Sequence, residues 1–212
     1  MIDPTISADA ARRLYDWLGA RYDAAERYEG RAKARAIELL DLAPGLCALN
    51  VGVGTGLDQA RLQAAVRPGG RVFGIDLAPA MLELTRGRAG TSLCRADTRR
   101  LPFSTASFDR LFSSYVLDLI PASNLPGLLA EFRRVLRPGG RLALVSLTEG
   151  ADPLSRVVIA AWKLAYRASP LLCGGCRPLQ LAGLVQSAGF TTVAREVIVQ
   201  LGVPSEVLVA VR

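Results

Sequence analysis

Apolar and polar positions along the chain follow two periods, and the change between them predicts strands that alternate with helices. Short apolar runs bounded by turn residues predict buried strands, whereas longer amphipathic segments predict helices. The predicted strands in the middle of the chain are 46–51, 71–75, 92–95, 110–113 and 141–147. The predicted helices among them are 57–66, 79–86 and 125–136. This order indicates a doubly wound α/β sheet, mostly parallel, with helices on both faces.

The two ends of the chain follow other patterns. Helices are predicted over 7–28, with Ser7 as the N-cap, and over 31–41. After the fifth strand, helices are predicted over 155–168 and 178–187, followed by strands 191–201 and 206–211 as an antiparallel hairpin at the sheet edge. We therefore predict one domain of seven strands over 1–212. Its parts are a helical cap 1–44, a core 45–150, a helical segment 151–188 and a β-hairpin 189–212.

A glycine-rich turn follows the first predicted strand. Residues 48–56 read Ala-Leu-Asn-Val-Gly-Val-Gly-Thr-Gly, and a helix begins directly after them. Glycines at 52, 54 and 56 allow a sharp turn and a close approach of the backbone to a ligand. The free N–H groups and the positive dipole of the helix start favour a phosphate, a carboxylate or a ribose. A turn that only connects strand to helix is the alternative interpretation.

The second predicted strand ends in an acid, Asp76. In a doubly wound sheet this position lies beside the glycine turn, where a carboxylate can accept both hydroxyls of an adenosine ribose. A helix N-cap or a solvated strand end would also explain an aspartate here. Two ligands fit the ribose interpretation, a dinucleotide and S-adenosylmethionine. Leu57 stands where the dinucleotide pattern requires glycine, which disfavours NAD.

Several further motifs resemble class I S-adenosylmethionine-dependent methyltransferases. They are residues 96–103, 107–109 and 134–142, together with 49–56 and 74–82, in the order and spacing of that family. The resemblance covers about residues 45–150 and is nearest to the ubiquinone/menaquinone-biosynthesis-like subgroup. Residues 15–23, Tyr-Asp-Trp-Leu-Gly-Ala-Arg-Tyr-Asp, resemble the amino-terminal segment of the same subgroup.

The resemblance implies a Rossmann-like fold, S-adenosyl-L-methionine as cofactor and methyl transfer to a small molecule. It also implies that segment 151–188 covers the substrate and that the amino-terminal segment folds over the cofactor. Asp97, with the backbone of Thr98, would accept the adenine amino group, and Leu77 and Met81 would pack on adenine and ribose. The cofactor-binding residues implied are Tyr22, Asn50, Gly52, Gly54, Gly56, Asp76, Leu77, Met81, Asp97, Thr98 and Ser113.

One position departs from the family pattern. Asn50 stands where members of the family carry Asp or Glu facing the amino group of the cofactor. An amide carbonyl still accepts a hydrogen bond but loses the assistance of charge, worth about 1 kcal/mol. We expect weaker cofactor binding. Together with the absence of histidine, this leaves a second interpretation open, a catalytically decayed S-adenosylmethionine-binding module.

No histidine is available as a catalytic base. The candidates for that role are Tyr22, Tyr115 and Asp118, with Asp23 as a further carboxylate. An acceptor that is already ionised, such as a thiolate or a carboxylate, would need no base. The identity of the catalytic residue is therefore open at this point.

Charge and composition narrow the choice of partners. The formal net charge is +7, but it comes from dispersed arginines, since only Lys33 and Lys163 are lysines. No basic run interleaved with aromatics is present, which makes nucleic acid an unlikely partner. A small molecule, hydrophobic or anionic, fits better: a quinone precursor, a lipid or a secondary metabolite. The sequence does not indicate an oligomeric state.

No apolar stretch is long enough to predict a membrane span. The helix at 155–168 is either a lid that touches a lipid surface or a core helix with a solvated basic stripe, and the second is favoured. Residues 1–4 lack the features of a signal peptide, so a cytoplasmic location is expected.

The four cysteines predict no metal site. Cys47 and Cys94 lie in predicted strands and are expected to be buried small hydrophobes. Cys173 and Cys176 form a lone C-x-x-C motif, for which zinc would need a second pair or histidines. A turn with incidental thiols is favoured over a thiolate site like that of arsenic-methylating relatives.

Overall fold

The computed structural model describes residues 5–90 and 92–212, so the expectation drawn from residues 1–4 lies outside the described chain. The strands are β1 Cys47–Val51, β2 Arg71–Asp76, β3 Leu93–Arg95, β4 Phe108–Ser114, β5 Leu136–Leu147, β6 Thr191–Gln200 and β7 Val203–Val211. The helices are α1 Ala8–Leu18, α2 Glu26–Leu39, α3 Leu57–Ala65, α4 Pro79–Ala89, α5 Leu125–Val135, α6 Pro153–Ala168 and α7 Leu181–Ser187.

The strands form one sheet in the order β3-β2-β1-β4-β5-β7-β6. Strands β1 to β5 are parallel, whereas β7 is antiparallel to both of its neighbours, β5 and β6. The predicted doubly wound sheet with an antiparallel C-terminal hairpin is confirmed. The chain order reverses between β1 and β4, which is where ligands bind in open α/β sheets.

Two apolar layers cover the two faces of the sheet. One layer contains buried leucine, phenylalanine and valine side chains of α5 and α7, and the other contains buried side chains of α2 and α3. Burial of apolar surface on both faces explains why the inner strands read as continuous apolar runs. The core therefore holds the carboxyl ends of β1, β2 and β4 in place at one edge.

The amino-terminal helix is shorter than predicted. Ser7 caps α1 as expected by accepting a hydrogen bond from Ala10 N, but the helix ends at Leu18. Gly19 has a positive φ and begins a 3₁₀ segment, Gly19–Ala25, that leads into α2. Tyr22 lies in this tighter segment and not on the continuous α-helix that was predicted.

The C-terminal hairpin is longer than predicted. Leu201 and Gly202, both at positive φ, make a two-residue turn, and β7 begins at Val203. Pro204 therefore lies inside the strand, near its beginning, where the missing N–H is tolerated. Strand β7 is buried almost throughout because β5 and β6 flank it.

Helix α6 buries only a narrow stripe. Ile159 and Tyr166 are buried, whereas Leu154, Val157 and Leu164 are largely exposed. The favoured prediction of a core helix is therefore wrong for these three side chains, because α6 packs mainly on β7 and the Pro170–Cys173 turn and its outer apolar side chains stay uncovered. In the described part of the chain, no helix has the length and apolar character needed to cross a membrane. The division into cap, core, covering segment and hairpin stays a prediction.

Candidate active site

A cavity of about 400 Å³ lies at the carboxyl ends of β1, β2 and β4, beneath α1 and the 3₁₀ segment. Most of the residues predicted to bind a cofactor line it. They are Tyr22, Gly52, Gly54, Asp76, Leu77, Met81, Asp97 and Thr98. These residues come from four separate stretches of the chain, and the fold brings these separate sequence motifs together around one cavity. We call this the first cavity.

The glycine turn is held by β2. Gly54 has a φ of 54°, a conformation in which glycine is favoured, and its N–H donates to Asp76 Oδ2 at 3.0 Å. Asp76 Oδ1 accepts from Ala78 N at 2.9 Å. Burial raises the pKa of Asp76 to about 6, while these backbone hydrogen bonds act to lower it. Asp76 therefore joins the turn to the start of α4 and faces the first cavity.

Asp97 is engaged by a neighbouring arginine. Arg99 Nε donates to Asp97 Oδ1 at 2.9 Å and Nη2 to Oδ2 at 2.5 Å. This fork-shaped contact lowers the pKa of Asp97 and keeps it ionised. Both residues line the first cavity. A ligand that donates to Asp97 would use acceptor positions that Arg99 leaves free.

The amino-terminal segment covers the first cavity through polar contacts. Asp16 Oδ1 accepts a hydrogen bond from Ala80 N at 3.1 Å. Asp23 pairs with Arg88, with Nη1–Oδ1 at 3.0 Å and Nη2–Oδ2 at 2.5 Å. Since Ala80 and Arg88 belong to α4, the cover is attached to the helix that follows the acid of β2.

Three predicted cofactor residues do not line the cavity. The Asn50 amide is buried and donates to Gln59 Oε1 at 3.0 Å, and Ser113 Oγ donates to Val51 O at 3.0 Å. A Cβ at Gly56 would come within 2.7 Å of the Thr85 Cα, so this glycine permits close packing of the turn on α4. These residues hold the turn and the strand ends, and the structure places none of them in the cavity wall.

The predicted catalytic candidates separate into two groups. Tyr22 and Tyr115 line the first cavity, and burial raises the pKa of both hydroxyls well above the ordinary value. Asp118 is fully buried outside the cavity wall, where its carboxylate accepts from Leu147 N at 2.8 Å and pairs with Ser146. Its pKa is raised to about 7 by burial. The geometry makes Asp118 an anchor for the end of β5. The further candidate Asp23 is paired with Arg88, which lowers its pKa.

A second cavity of about 410 Å³ adjoins the first. Tyr15, Tyr22 and Tyr115 line both cavities, and the rings of Tyr15 and Tyr22 meet edge to face with centroids 5.3 Å apart. Glu29 of α2 lines the second cavity and was missed by sequence reasoning. Its only signal was its place seven residues after Tyr22, and nothing in the local pattern distinguishes it from a solvated helix residue.

The C-x-x-C motif forms a turn beside the second cavity. Cys176 N donates to Cys173 O at 3.0 Å, and burial raises the pKa of both thiols. No cluster of three metal-ligating side chains exists among the residues that the structure describes. Cys94, expected to be buried, is exposed because β3 is the edge strand, and Cys47 is half-buried.

Comparisons with known proteins agree with this site. Residues 48–140 match the family model described as a methyltransferase domain. Residues 48–140 therefore belong to this methyltransferase family. The match contains the glycine turn, Asp76 and Asp97, and so confirms the resemblance seen in the motifs.

Two relatives and one solved structure are described here because they are similar to the chain. The chain is 38% identical over 149 residues to malonyl-[acyl-carrier protein] O-methyltransferase of Herminiimonas arsenicoxydans, covering 70% of this chain and 55% of that protein. It is 31% identical over 141 residues to demethylmenaquinone methyltransferase of Tropheryma whipplei strain Twist, covering 63% and 57%. The chain thus spans little more than half the length of these relatives.

The fold is shared with Burkholderia thailandensis 1,6-didemethyltoxoflavin-N1-methyltransferase, whose structure holds 1,6-didemethyltoxoflavin and S-adenosylhomocysteine. The TM-score is 0.67 at 21% identity, over 100% of this chain and 93% of that chain. This likeness supports the seven-stranded architecture as a methyltransferase fold.

Proposed function

We propose that this methyltransferase binds S-adenosyl-L-methionine in the first cavity and transfers a methyl group to a small-molecule acceptor. The observation that carries the proposal is the position of Asp76, in the cavity wall beside the glycine turn. A carboxylate has about four acceptor positions, and the two backbone donors use two of them. The remaining positions suit the two hydroxyls of a ribose.

The other lining residues fit the same cofactor. Leu77 and Met81 offer apolar surface for adenine, and Asp97 with Thr98 offers acceptors for its amino group. Tyr22 covers the cavity from the amino-terminal side. Asn50, Gly56 and Ser113 act on the cofactor through the turn and the strand ends that they hold.

The chain's own contribution is to bind, orient and exclude water. S-adenosylmethionine, when bound, supplies a methyl group that is already activated. Tyr22 and Tyr115 stand between the two cavities as neutral hydroxyls, so they can orient an acceptor without contributing charge. Correct placement of two reactants provides a large part of the acceleration in such reactions.

The acceptor is a small molecule of apolar character in this proposal, because aromatic and aliphatic side chains dominate the second cavity. A quinone precursor, a lipid or a secondary metabolite are the classes to test. The relatives described above are named as methyltransferases of malonyl-[acyl-carrier protein] and of demethylmenaquinone. Nothing in the comparisons favours a decayed binding module. The cytoplasmic location stays a prediction from the sequence.

Calorimetric titration with S-adenosylmethionine and S-adenosylhomocysteine, with NAD as control, tests the proposal. We expect binding of both sulfur compounds and none of NAD. Asp76→Ala should weaken the affinity by about tenfold or more, since it removes the ribose acceptors. Glu83→Ala, an exposed acid on the outer side of α4, is the matched control and should bind normally. Failure of the folded protein to bind either sulfur compound would overturn the proposal.

A further inference from the structure

The second cavity contains a single carboxylate among the residues that line it in the described chain, that of Glu29. The rest of the wall is aromatic, aliphatic or cysteine, with Arg21 as the one cation among those residues. Trp17 and Leu172, exposed by 68% and 72%, also line it and mark where it meets solvent. Glu29 itself is only 5% exposed. A carboxylate in such a place is costly unless it is paired or has a use.

Glu29 is poorly compensated by nearby cations. Lys33 Nζ lies 3.6 Å from Glu29 Oε2, but the same ammonium also pairs with Glu26 and Asp58. Arg61 contacts Glu26 at 3.1 Å and Asp58 at 2.8 Å, and no ion pair joins it to Glu29 among the described contacts. Two cations therefore pair with three carboxylates. Glu29 is the least neutralised of the three, because its contact with Lys33 is long and Arg61 pairs with the other two.

Tyr22 connects Glu29 to the junction of the two cavities. The Tyr22 hydroxyl donates to Glu29 Oε2 at an O–O distance of 3.4 Å, and the tyrosine lines both cavities. A molecule in the second cavity thus has two routes to the carboxylate, directly or through the tyrosine hydroxyl. The predicted carboxylate bases offer neither route, because Asp118 lies outside both walls and Asp23 is held by Arg88.

We propose that the second cavity binds the methyl acceptor as a hydroxyl-bearing aromatic or enolic compound, and that Glu29 takes the proton of that hydroxyl. The inference rests on the proposed function. The acceptor's O–H bond breaks, its oxygen keeps the electron pair, and the proton forms an O–H bond on the Glu29 carboxylate. The negative charge moves from Glu29 to the acceptor oxygen, and the freed pair is the nucleophile for methyl transfer.

Among the titratable groups described around the second cavity, Glu29 is the one suited to accept a proton near neutral pH. Burial raises its pKa to about 7, Lys33 opposes the shift, and Asp118 and Glu26 add to it. The remaining hydroxyls and thiols of the cavity wall have raised pKa values, so they stay protonated: Tyr15, Tyr22, Tyr28, Tyr115, Cys173 and Cys176. A base whose pKa lies near the working pH is suited to this transfer.

The negative charge of the Glu29 carboxylate also selects the class of acceptor. Neutral aromatic hydroxyl compounds can pack against Tyr15, Tyr115 and Trp162, which line the cavity. A carboxylate acceptor would bring a second negative charge beside Glu29 in an apolar setting, which is unfavourable. Proton transfer from a neutral hydroxyl keeps the total charge of the pair at one negative unit.

The experiment uses 4-nitrophenol, whose visible spectrum distinguishes phenol from phenolate, on protein saturated with S-adenosylhomocysteine. In the wild type we expect bound dye with a substantial phenolate fraction at pH 7. In E29Q the ratio of phenolate to phenol should rise by about tenfold, the ratio that corresponds to one pKa unit, because the neutral amide stands in for the protonated carboxyl and removes the like charge that opposes phenolate. E29D keeps an ionisable carboxylate and should stay close to the wild-type ratio. E83Q is the matched control, since it removes an exposed carboxylate of α4 that lines neither cavity, and its signal should equal that of the wild type.

S-adenosylhomocysteine affinity and thermal unfolding of each variant separate the outcomes. If no variant binds S-adenosylhomocysteine, the proposed function fails first. If all bind it and E29Q keeps the wild-type phenolate fraction, the role of Glu29 is overturned. If the dye fails to bind the wild-type complex while a cationic aromatic amine without a hydroxyl group, such as phenethylamine, binds, the assigned class of acceptor is overturned.

Discussion

The Asp16 carboxylate on α1 accepts a hydrogen bond from the backbone N–H of Ala80, near the start of α4, at 3.1 Å. The N-cap residue of α4 is Ala78, which has no side-chain acceptor for the free N–H groups. Asp16 supplies that acceptor from a distant part of the chain. The contact closes the amino-terminal cover over the first cavity, and Arg12 Nη1 binds the other oxygen of Asp16 at 3.3 Å.

Replacing Asp16 by alanine should loosen this cover. We expect D16A to weaken S-adenosylhomocysteine binding by about fivefold, since loss of a capping group costs about 1 kcal/mol. D16N should bind almost as the wild type, because asparagine caps as well as aspartate. Calorimetry measures both. Equal losses in D16A and D16N would assign the effect to the pair with Arg12 and contradict the capping role.

Replacing Gly56 by alanine should lower the stability of the fold. Its φ is 91°, and a Cβ would lie 2.7 Å from Thr85 Cα, which is backbone and cannot move aside cheaply. We expect G56A to lower the free energy of unfolding by about 2 kcal/mol or more. Gly87 lies on α4, as Thr85 does, and is the control, because an added Cβ there would have no atom within 4 Å. G87A should be neutral or stabilising by up to about 1 kcal/mol in urea unfolding.

Replacing Asn50 by aspartate tests the one position that departs from the family pattern. Its amide donates to Gln59 Oε1, and Gln59 Nε2 in turn donates to Val72 O at 3.2 Å. Aspartate would place a carboxylate against a carbonyl oxygen in a buried site. We expect N50D to lower the free energy of unfolding by about 1–3 kcal/mol and not to tighten S-adenosylhomocysteine binding. A gain in affinity by calorimetry would restore the contact predicted from the sequence.

Asp118 should make stability depend on pH. Its pKa of about 7 in the folded protein is above the ordinary 3.8. The unfolded chain therefore releases this proton at lower pH than the folded chain. The contribution of the residue to stability is full below about pH 3.8 and is lost as pH rises through about 7.

Urea unfolding from pH 4 to pH 8 should show this loss in the wild type relative to D118N. The expected difference is a few kcal/mol, since each pKa unit corresponds to about 1.4 kcal/mol. D118A should be less stable than D118N by about 1–3 kcal/mol, because it leaves the Leu147 N–H without its partner. A constant difference between wild type and D118N across this range would contradict the raised pKa.

The motifs that could be predicted are those in which neighbours in sequence decide the geometry. The glycine turn and Asp76 lie within one β-α-β unit, so their contact follows from the pattern of that unit. The hairpin was predicted for the same reason, although Pro204 concealed the true start of β7. The break at Gly19 was missed because apolar spacing continues across it, and the positive φ becomes visible only in the structure.

Local patterns thus determined the order of strands and helices, the parallel sheet and the place of the ligand edge, because hydrophobic period and turn residues act over a few positions. Tertiary structure alone decided which polar side chains face a cavity. Asn50 and Ser113 bond within the packed turn and strand ends, while Glu29 lines the second cavity and accepts a hydrogen bond from Tyr22. The physical reason is that the burial and charge balance of Glu29 depend on groups as distant in sequence as Asp118, which only the folded chain brings near it.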